Sequence, residues 1–245
     1  MFDLLNRLLG RKQNAVPFCS AVVPAAGLSR RMGGEDKLFA SLGGIPVLGR
    51  TVEALSQSDL ISEIVVAVRE DELLTAADIC RCYVSSKPIK IVRGGETRTA
   101  SVMAALAECD ERAVLVAIHD GARPLITTDI IDTTIRCAVK SYAAAPAVPV
   151  KDTIKVVANG IVERTPDRSV LYAVQTPQVF DRDLIQTALQ SALASGAVIT
   201  DDCSAVELLG KEVLLTEGSY ENLKITTPVD LVLAEAIWQN REATE

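Results

Sequence analysis

Apolar positions along this chain fall into two alternating patterns. Short, continuous, β-branched-rich runs occur at 20–24, 61–68, 89–92, 113–118 and 144–150. Unbroken apolar runs of that length predict strands covered on both faces. Between them lie helix-length amphipathic stretches at 46–57, 97–109 and 129–142; the first opens on Pro46 and carries Val47, Leu48, Val52 and Leu55 at helical spacing. Strand–helix alternation predicts an α/β fold, Rossmann-like, with a mostly parallel sheet flanked by helices.

The rhythm changes near residue 150. Residues 151–157 alternate polar and apolar, Asn159-Gly160 is a hairpin turn signal, and 161–164 reads as the returning strand. A hairpin there predicts a protruding β-arm over about 150–170, and an isolated hairpin is marginal in water without a partner surface. Helices follow at 181–195, 202–209 and 228–238, with strands at 212–216 and 223–225. The expected organisation is an N-terminal extension over 1–17 and one domain over 18–245.

Composition narrows the function. The 245 residues carry 25 Lys and Arg against 32 Asp and Glu, a net charge of −7. That balance disfavours nucleic acid, whose binding rests on neutralising phosphates. No segment approaches the ~18 apolar residues of a membrane span, so neither a membrane nor a nucleic-acid partner is expected. A single histidine, His119, makes a triad or a multi-histidine metal site hard to build; a buried, hydrogen-bonded ring is the favoured reading for it. The six cysteines form no C-x-x-C pair, which suits idle thiols in the reducing cytoplasm.

The candidate chemistry sits where strands end. The first strand runs into PAAGLSRRMGGEDK, residues 24–37. Ala25, Ala26 and Gly27 let the backbone approach a ligand closely, and Arg30, Arg31 and Lys37 bring positive charge, so this loop predicts a phosphate site. It is neither a P-loop nor G-x-G-x-x-G. The third strand ends in VRGGETRTASV, with Gly94, Gly95 and Glu96, then Arg98 and Ser101 at a helix start; Glu96 and Thr97 read equally as caps. The fourth ends in IHDGARP, where Asp120 reads either as a Mg²⁺ ligand alongside substrate phosphates or as a loop cap, with Gly121 and Arg123 beside it. Later come VPVKDTIKVV with Thr153, TPDRSVLYAVQTPQVF with Arg168 and Thr176, and NLKITTPVDL with Lys224.

Taken in order, the A-A-G-x-x-x-R-M loop, G-G-x-x-R-x-x-S, H-D-x-A-R-P, V-x-D-T-I-K, T-P-Q, T-D-D at 200–202 and N-x-K-[IV]-T resemble the 2-C-methyl-D-erythritol 4-phosphate cytidylyltransferase family, over about 19–238. The resemblance implies the nucleotide-diphospho-sugar transferase type of fold and cytidylyl transfer from CTP to methylerythritol phosphate, with release of pyrophosphate. It implies Ala25, Ala26, Gly27, Arg31 and Lys37 on the triphosphate, and Gly95, Glu96, Ser101 and Gly121 around the base and ribose. Asp120 would lie near Mg²⁺ and both substrates. Arg123, Thr153, Arg168, Thr176 and Lys224 would form the acceptor site, with Arg31, Lys37 and Lys224 catalytic. It further implies a homodimer in which the arm serves the neighbouring subunit. The family's D-A-A-R-P is D-G-A-R-P here, and the loop before Lys37 ends Glu35-Asp36 where Pro is usual. The rivals are ribitol-5-phosphate cytidylyltransferase, another sugar nucleotidyltransferase using UTP or GTP, and a non-catalytic nucleotide-binding scaffold on the same fold.

Overall fold

The computed structural model describes residues 17–27 and 37–244. Arg31 and the expected extension, apart from Pro17, lie outside the described residues. Strands β1 (Cys19–Pro24), β4 (Glu63–Val68), β5 (Ile89–Arg93) and β6 (Leu115–Ile118) form the parallel half of an eight-stranded sheet, in the order β6-β1-β4-β5. Each is the expected apolar run, trimmed or extended by one or two residues at its ends. Strand β11 (Gln178–Asp181) joins β6 antiparallel and links it to β7 (Ala143–Pro149). β7 also pairs with β10 (Tyr172–Val174), antiparallel, and β12 (Leu214–Glu217), parallel.

Side chains on alternate strand positions feed two cores. Ala21, Val23, Ile64 and Val66 point into one, under helices α1 (Val47–Gln57), α2 (Leu73–Tyr83) and α4 (Thr128–Ser141). Val22, Val65 and Ala67 point into the other, under α3 (Arg98–Ala107), α5 (Arg182–Ser195) and α6 (Asp202–Leu208). This period-2 division buries both faces of β1, β4 and β6, while the edge strand β5 keeps Lys90 and Arg93 exposed. A third, smaller core packs α7 (Pro228–Glu242) against Leu42, Val47 and Leu125. The short hairpin β2 (Ser41–Leu42) and β3 (Ile45–Pro46) feeds α1.

Several expectations are corrected. Helix α2 was not foreseen: it buries only the small Ala76 and Cys80 fully and leaves Leu74 to solvent. β10 and β11 were not foreseen either. Both run along β7, but their registers differ by two residues; the slip falls at 175–177, where the Thr176-Pro177 peptide is cis. Residues 223–225 are not a strand: they bond through Ile225 N–H to the Ala122 carbonyl, 2.8 Å, without joining a sheet. Within 151–157, only the end becomes β8 (Val156–Ala158). It pairs with β9 (Ile161–Arg164) around Asn159 and Gly160, which take φ of 51° and 79°. Positive φ at both positions is what a two-residue hairpin of this twist needs, and Asn-Gly supplies it at low cost. All six cysteines are free, and burial pushes the Cys19, Cys80, Cys109 and Cys203 thiols up.

Candidate active site

Parallel strands deliver their carboxyl ends to one edge, and there the loops after β1, β5 and β6 enclose a cleft of about 370 Å³. Its lining includes Ala25, Ala26, Gly27, Lys37, Gly95, Glu96, Ser101, Asp120, Gly121 and Lys224, all expected site residues, together with Arg98. The loops are tied to the sheet through the backbone: Ala25 N–H donates to the Ala67 carbonyl and Gly94 N–H to Val68, each at 2.7 Å. Gly94 is required by packing, since a Cβ there would come 2.6 Å from the Ala26 Cβ.

Ser101 and Thr97 shape the second loop. The Ser101 hydroxyl accepts from Gly95 N–H at 3.1 Å and lies 3.0 Å from the Thr97 carbonyl, to which it donates. Thr97 caps α3 through Ala100 N–H, so the capping reading holds for Thr97 while Glu96 stays in the lining.

Asp120 is the electrostatic centre. Its Oδ1 lies 3.2 Å from Arg98 Nε; its Oδ2 lies 2.7 Å from Lys224 Nζ and 3.7 Å from Arg123 Nε. Burial raises the Asp120 pKa, but Lys224, Arg98 and Arg123 outweigh it and hold the carboxyl well below the usual range. Arg98 bridges onward to the fully buried Asp202, 2.7 Å from its Oδ2. Burial pushes the Asp202 carboxyl up against the pull of Arg98. Three cations on two carboxylates, with Lys37 nearby, give a locally positive cleft in an acidic protein.

Behind Asp120, His119 is fully buried. Its Nε2 faces the Arg123 carbonyl at 3.1 Å, so Nε2 carries the proton and donates. Nδ1 accepts from the Thr176 hydroxyl at 3.0 Å, and Thr176 Oγ1 accepts from Asp120 N–H at 3.1 Å. Burial pulls the imidazole pKa down to about 4, so the ring is a neutral strut for the 119–123 loop. Thr176 and Arg123 therefore sit beside Asp120, whereas Thr153 and Arg168 do not reach the cleft of their own chain. Both are exposed on the arm, and Arg168 Nη1 donates to the Lys151 carbonyl at 2.8 Å.

The reading of the residues missed Arg98 and Asp202 as site members. The signals were present in G-G-x-x-R-x-x-S and T-D-D, but nothing in sequence joins positions 104 residues apart.

A cation-lined cleft at the carboxyl edge of a mostly parallel, helix-flanked sheet defines an α/β nucleotidyltransferase. The profile of the 2-C-methyl-D-erythritol 4-phosphate cytidylyltransferase family matches residues 19–240. The chain is 46% identical over 219 residues to the protein of that name from Caldanaerobacter subterraneus, covering 88% of this chain and 96% of that one. It is 45% identical over 224 residues to the protein of that name from Halalkalibacterium halodurans, covering 91% and 98%. A crystal structure of 4-diphosphocytidyl-2C-methyl-D-erythritol synthase from Anaerococcus prevotii superposes with a TM-score of 0.83 at 34% identity, covering 91% and 96%. The cytidylyltransferase from Thermus thermophilus gives 0.73 at 32%, covering 90% and 98%. The chain belongs to the 2-C-methyl-D-erythritol 4-phosphate cytidylyltransferase family.

Proposed function

We propose residue roles for the family's reaction in this chain: cytidylyl transfer from CTP to 2-C-methyl-D-erythritol 4-phosphate, giving 4-diphosphocytidyl-2-C-methyl-D-erythritol and pyrophosphate. An oxygen of the acceptor phosphate forms the new bond to the α-phosphorus in line with the breaking bond to the β-phosphate. That oxygen is already ionised at neutral pH, so no base is needed, which suits a site whose only histidine is a buried neutral strut. The difficulty is repulsion between anions, and positioning with charge stabilisation overcomes it.

The observation that carries this reading is the cation cluster of Arg98, Arg123 and Lys224 on Asp120 at the cleft floor. Arg31 and Lys37 take the triphosphate, with the backbone of 25–27. Gly95, Glu96, Ser101 and Gly121 surround the base and ribose. Lys224, 37% exposed at its side chain, meets charge growing on the α-phosphate. Arg123 and Thr176 face the acceptor.

Mg²⁺ is the divalent cation that would accompany CTP at this site. Among the described residues no group of three or more His, Cys, Asp or Glu could hold an ion alone. One carboxylate plus phosphate oxygens and waters is a donor set that Mg²⁺ accepts, and Asp120 is the carboxylate that would hold it; the ion would neutralise phosphate charge.

The functional unit is a homodimer through the β-arm. Ile161, Val162 and Val170 on the arm are 72%, 52% and 71% exposed in one chain, and Thr153 and Arg168 need a second copy to meet an acceptor phosphate. Six free thiols suit a cytoplasmic setting. No helix among the described residues is long and apolar enough to cross a membrane.

The test is pyrophosphate release from CTP and Mg²⁺, with methylerythritol 4-phosphate and ribitol 5-phosphate offered in parallel. Release with the first alone is expected. Release with ribitol 5-phosphate alone moves the chain to that specificity, and silence with both favours the scaffold reading.

A further inference from the structure

Asn222 opens the N-x-K-[IV]-T segment, and no role above uses it. It is fully buried, on a stretch without regular structure. A buried amide is costly unless its hydrogen bonds are made. Its Nδ2 donates to the Thr176 carbonyl at 3.0 Å and to Gln175 Oε1 at 3.3 Å. Its own carbonyl accepts from Arg123 Nη1 at 2.6 Å. Lys224 follows two positions later and reaches Asp120. One residue thus joins three pieces of the site: the 175–177 segment, the Arg123 loop and the segment that carries Lys224.

The ends of that segment are held by backbone: Gly218 N–H donates to the Ala147 carbonyl at 2.9 Å, and Ile225 N–H to Ala122 at 2.8 Å. Asn222 fastens the middle. Its Oδ1 is buried without a hydrogen-bond partner, as is Nε–H of the adjoining Arg123. Asparagine at this position is therefore held in place by its donors and its backbone carbonyl.

We infer that Asn222 is a positioning residue that sets Lys224 and Arg123 in register with Thr176. Thr176 and Arg123 lie on the acceptor side, and Lys224 lies where the acceptor phosphate meets the α-phosphate. None of these hydrogen bonds reaches 25–27, 94–96 or Ser101, the CTP side. The inference rests on the reaction proposed above. It requires that loosening Asn222 disturb use of methylerythritol phosphate more than use of CTP.

The experiment measures initial rates of pyrophosphate release by the full-length enzyme, varying each substrate in turn, with thermal midpoints alongside. Asn222→Leu keeps the size and removes the donors. It is expected to raise KM for methylerythritol phosphate about tenfold and lower kcat about tenfold, since small misplacements cost that much or more. KM for CTP should stay within about twofold. Gln175→Met, at the other end of one bond, should show a smaller shift in the same direction, and it decides the matter if Asn222→Leu does not fold. Thr134→Val removes a buried hydroxyl contact with Thr216 that does not line the cleft; it should lower the midpoint and leave both KM values unchanged. Unchanged constants in folded Asn222→Leu, or equal movement of both KM values, would overturn the positioning role. A wild type silent in the same assay would bring down the proposed reaction itself, and the role with it.

Discussion

The cleft and the arm belong to one chain but are finished to different degrees. In the cleft the central charges are cross-paired: Asp120 is met by Arg98, Arg123 and Lys224, and Arg98 is shared with Asp202. Those partners come from four separated segments and are mostly buried. On the arm, β8 and β9 pair only with each other. Ile161 and Val162 stand in solvent, and the arginine expected to bind phosphate rests on a carbonyl of the arm itself. A cleft can be preorganised by its own chain because its neighbours are fixed by the sheet. A two-stranded arm has no core of its own, and its apolar side chains gain only by covering another surface.

That contrast is broken most severely at Lys224. Lys224→Ala removes the cation that the proposed reaction sets on the α-phosphate, and kcat should fall at least ~100-fold, by analogy with loss of one oxyanion donor. Asp120 keeps Arg98 and Arg123, so the fold and the thermal midpoint should change little. Near-normal turnover in the folded variant would remove Lys224 from its role.

The arm gives the next largest effect and tests whether its unfinished surface belongs to a second copy. Arg168→Ala should cost about 10-fold or more in kcat/KM for methylerythritol phosphate, on the scale of a lost charge-assisted phosphate contact. Mixed and reassembled with Lys224→Ala, it should regain activity, because one site of the heterodimer then carries both intact residues. A mixture that stays as inactive as its parents would confine Arg168 to its own subunit.

The same contrast explains what could be read from the sequence. Strands β1, β4 and β6 were legible because both faces are buried, so Ile64–Val68 shows as a run without polar breaks; the edge strand β5 is only half-buried and was legible from Ile89, Ile91 and Val92. The arm's turn was legible from Asn159-Gly160 alone, since the residues themselves permit the φ values. The pocket-lining glycines and Asp120 were legible because strand ends hold ligands in such sheets. Helix α2 was hidden by its exposure: Leu74 is 83% exposed, and its core face rests on the small Ala76 and Cys80, flanked by half-buried Leu73 and Tyr83. β10 and β11 were hidden because their pairing with β7 depends on a two-residue slip that only the sheet reveals. Arg98–Asp202 and Asn222–Thr176 were hidden for the same reason, as long-range pairings between residues that each read locally as an ordinary polar side chain.

His119 touches turnover least and sharpens the comparison from the stability side. Its folded pKa, about 4, lies below the ordinary 6.5 of the unfolded chain. Between those values the unfolded chain binds a proton that the fold refuses. The neutral ring therefore contributes stability that is fully present above pH 6.5 and is lost as pH falls toward 4. A gap of that width is worth about 3 kcal/mol when complete. Asp120, held low by its cations, adds its own loss only in more acid solution, and Asp202, pushed up by burial, acts in the opposite sense. Subtracting a variant isolates the histidine. His119→Gln keeps a donor for the Arg123 carbonyl and an acceptor for Thr176 but does not titrate. Denaturant midpoints should show the wild type losing stability between pH 6.5 and 4 and His119→Gln losing about 3 kcal/mol less over that span. Parallel curves would mean that the strut beneath Asp120 is not the group that acid attacks between pH 6.5 and 4.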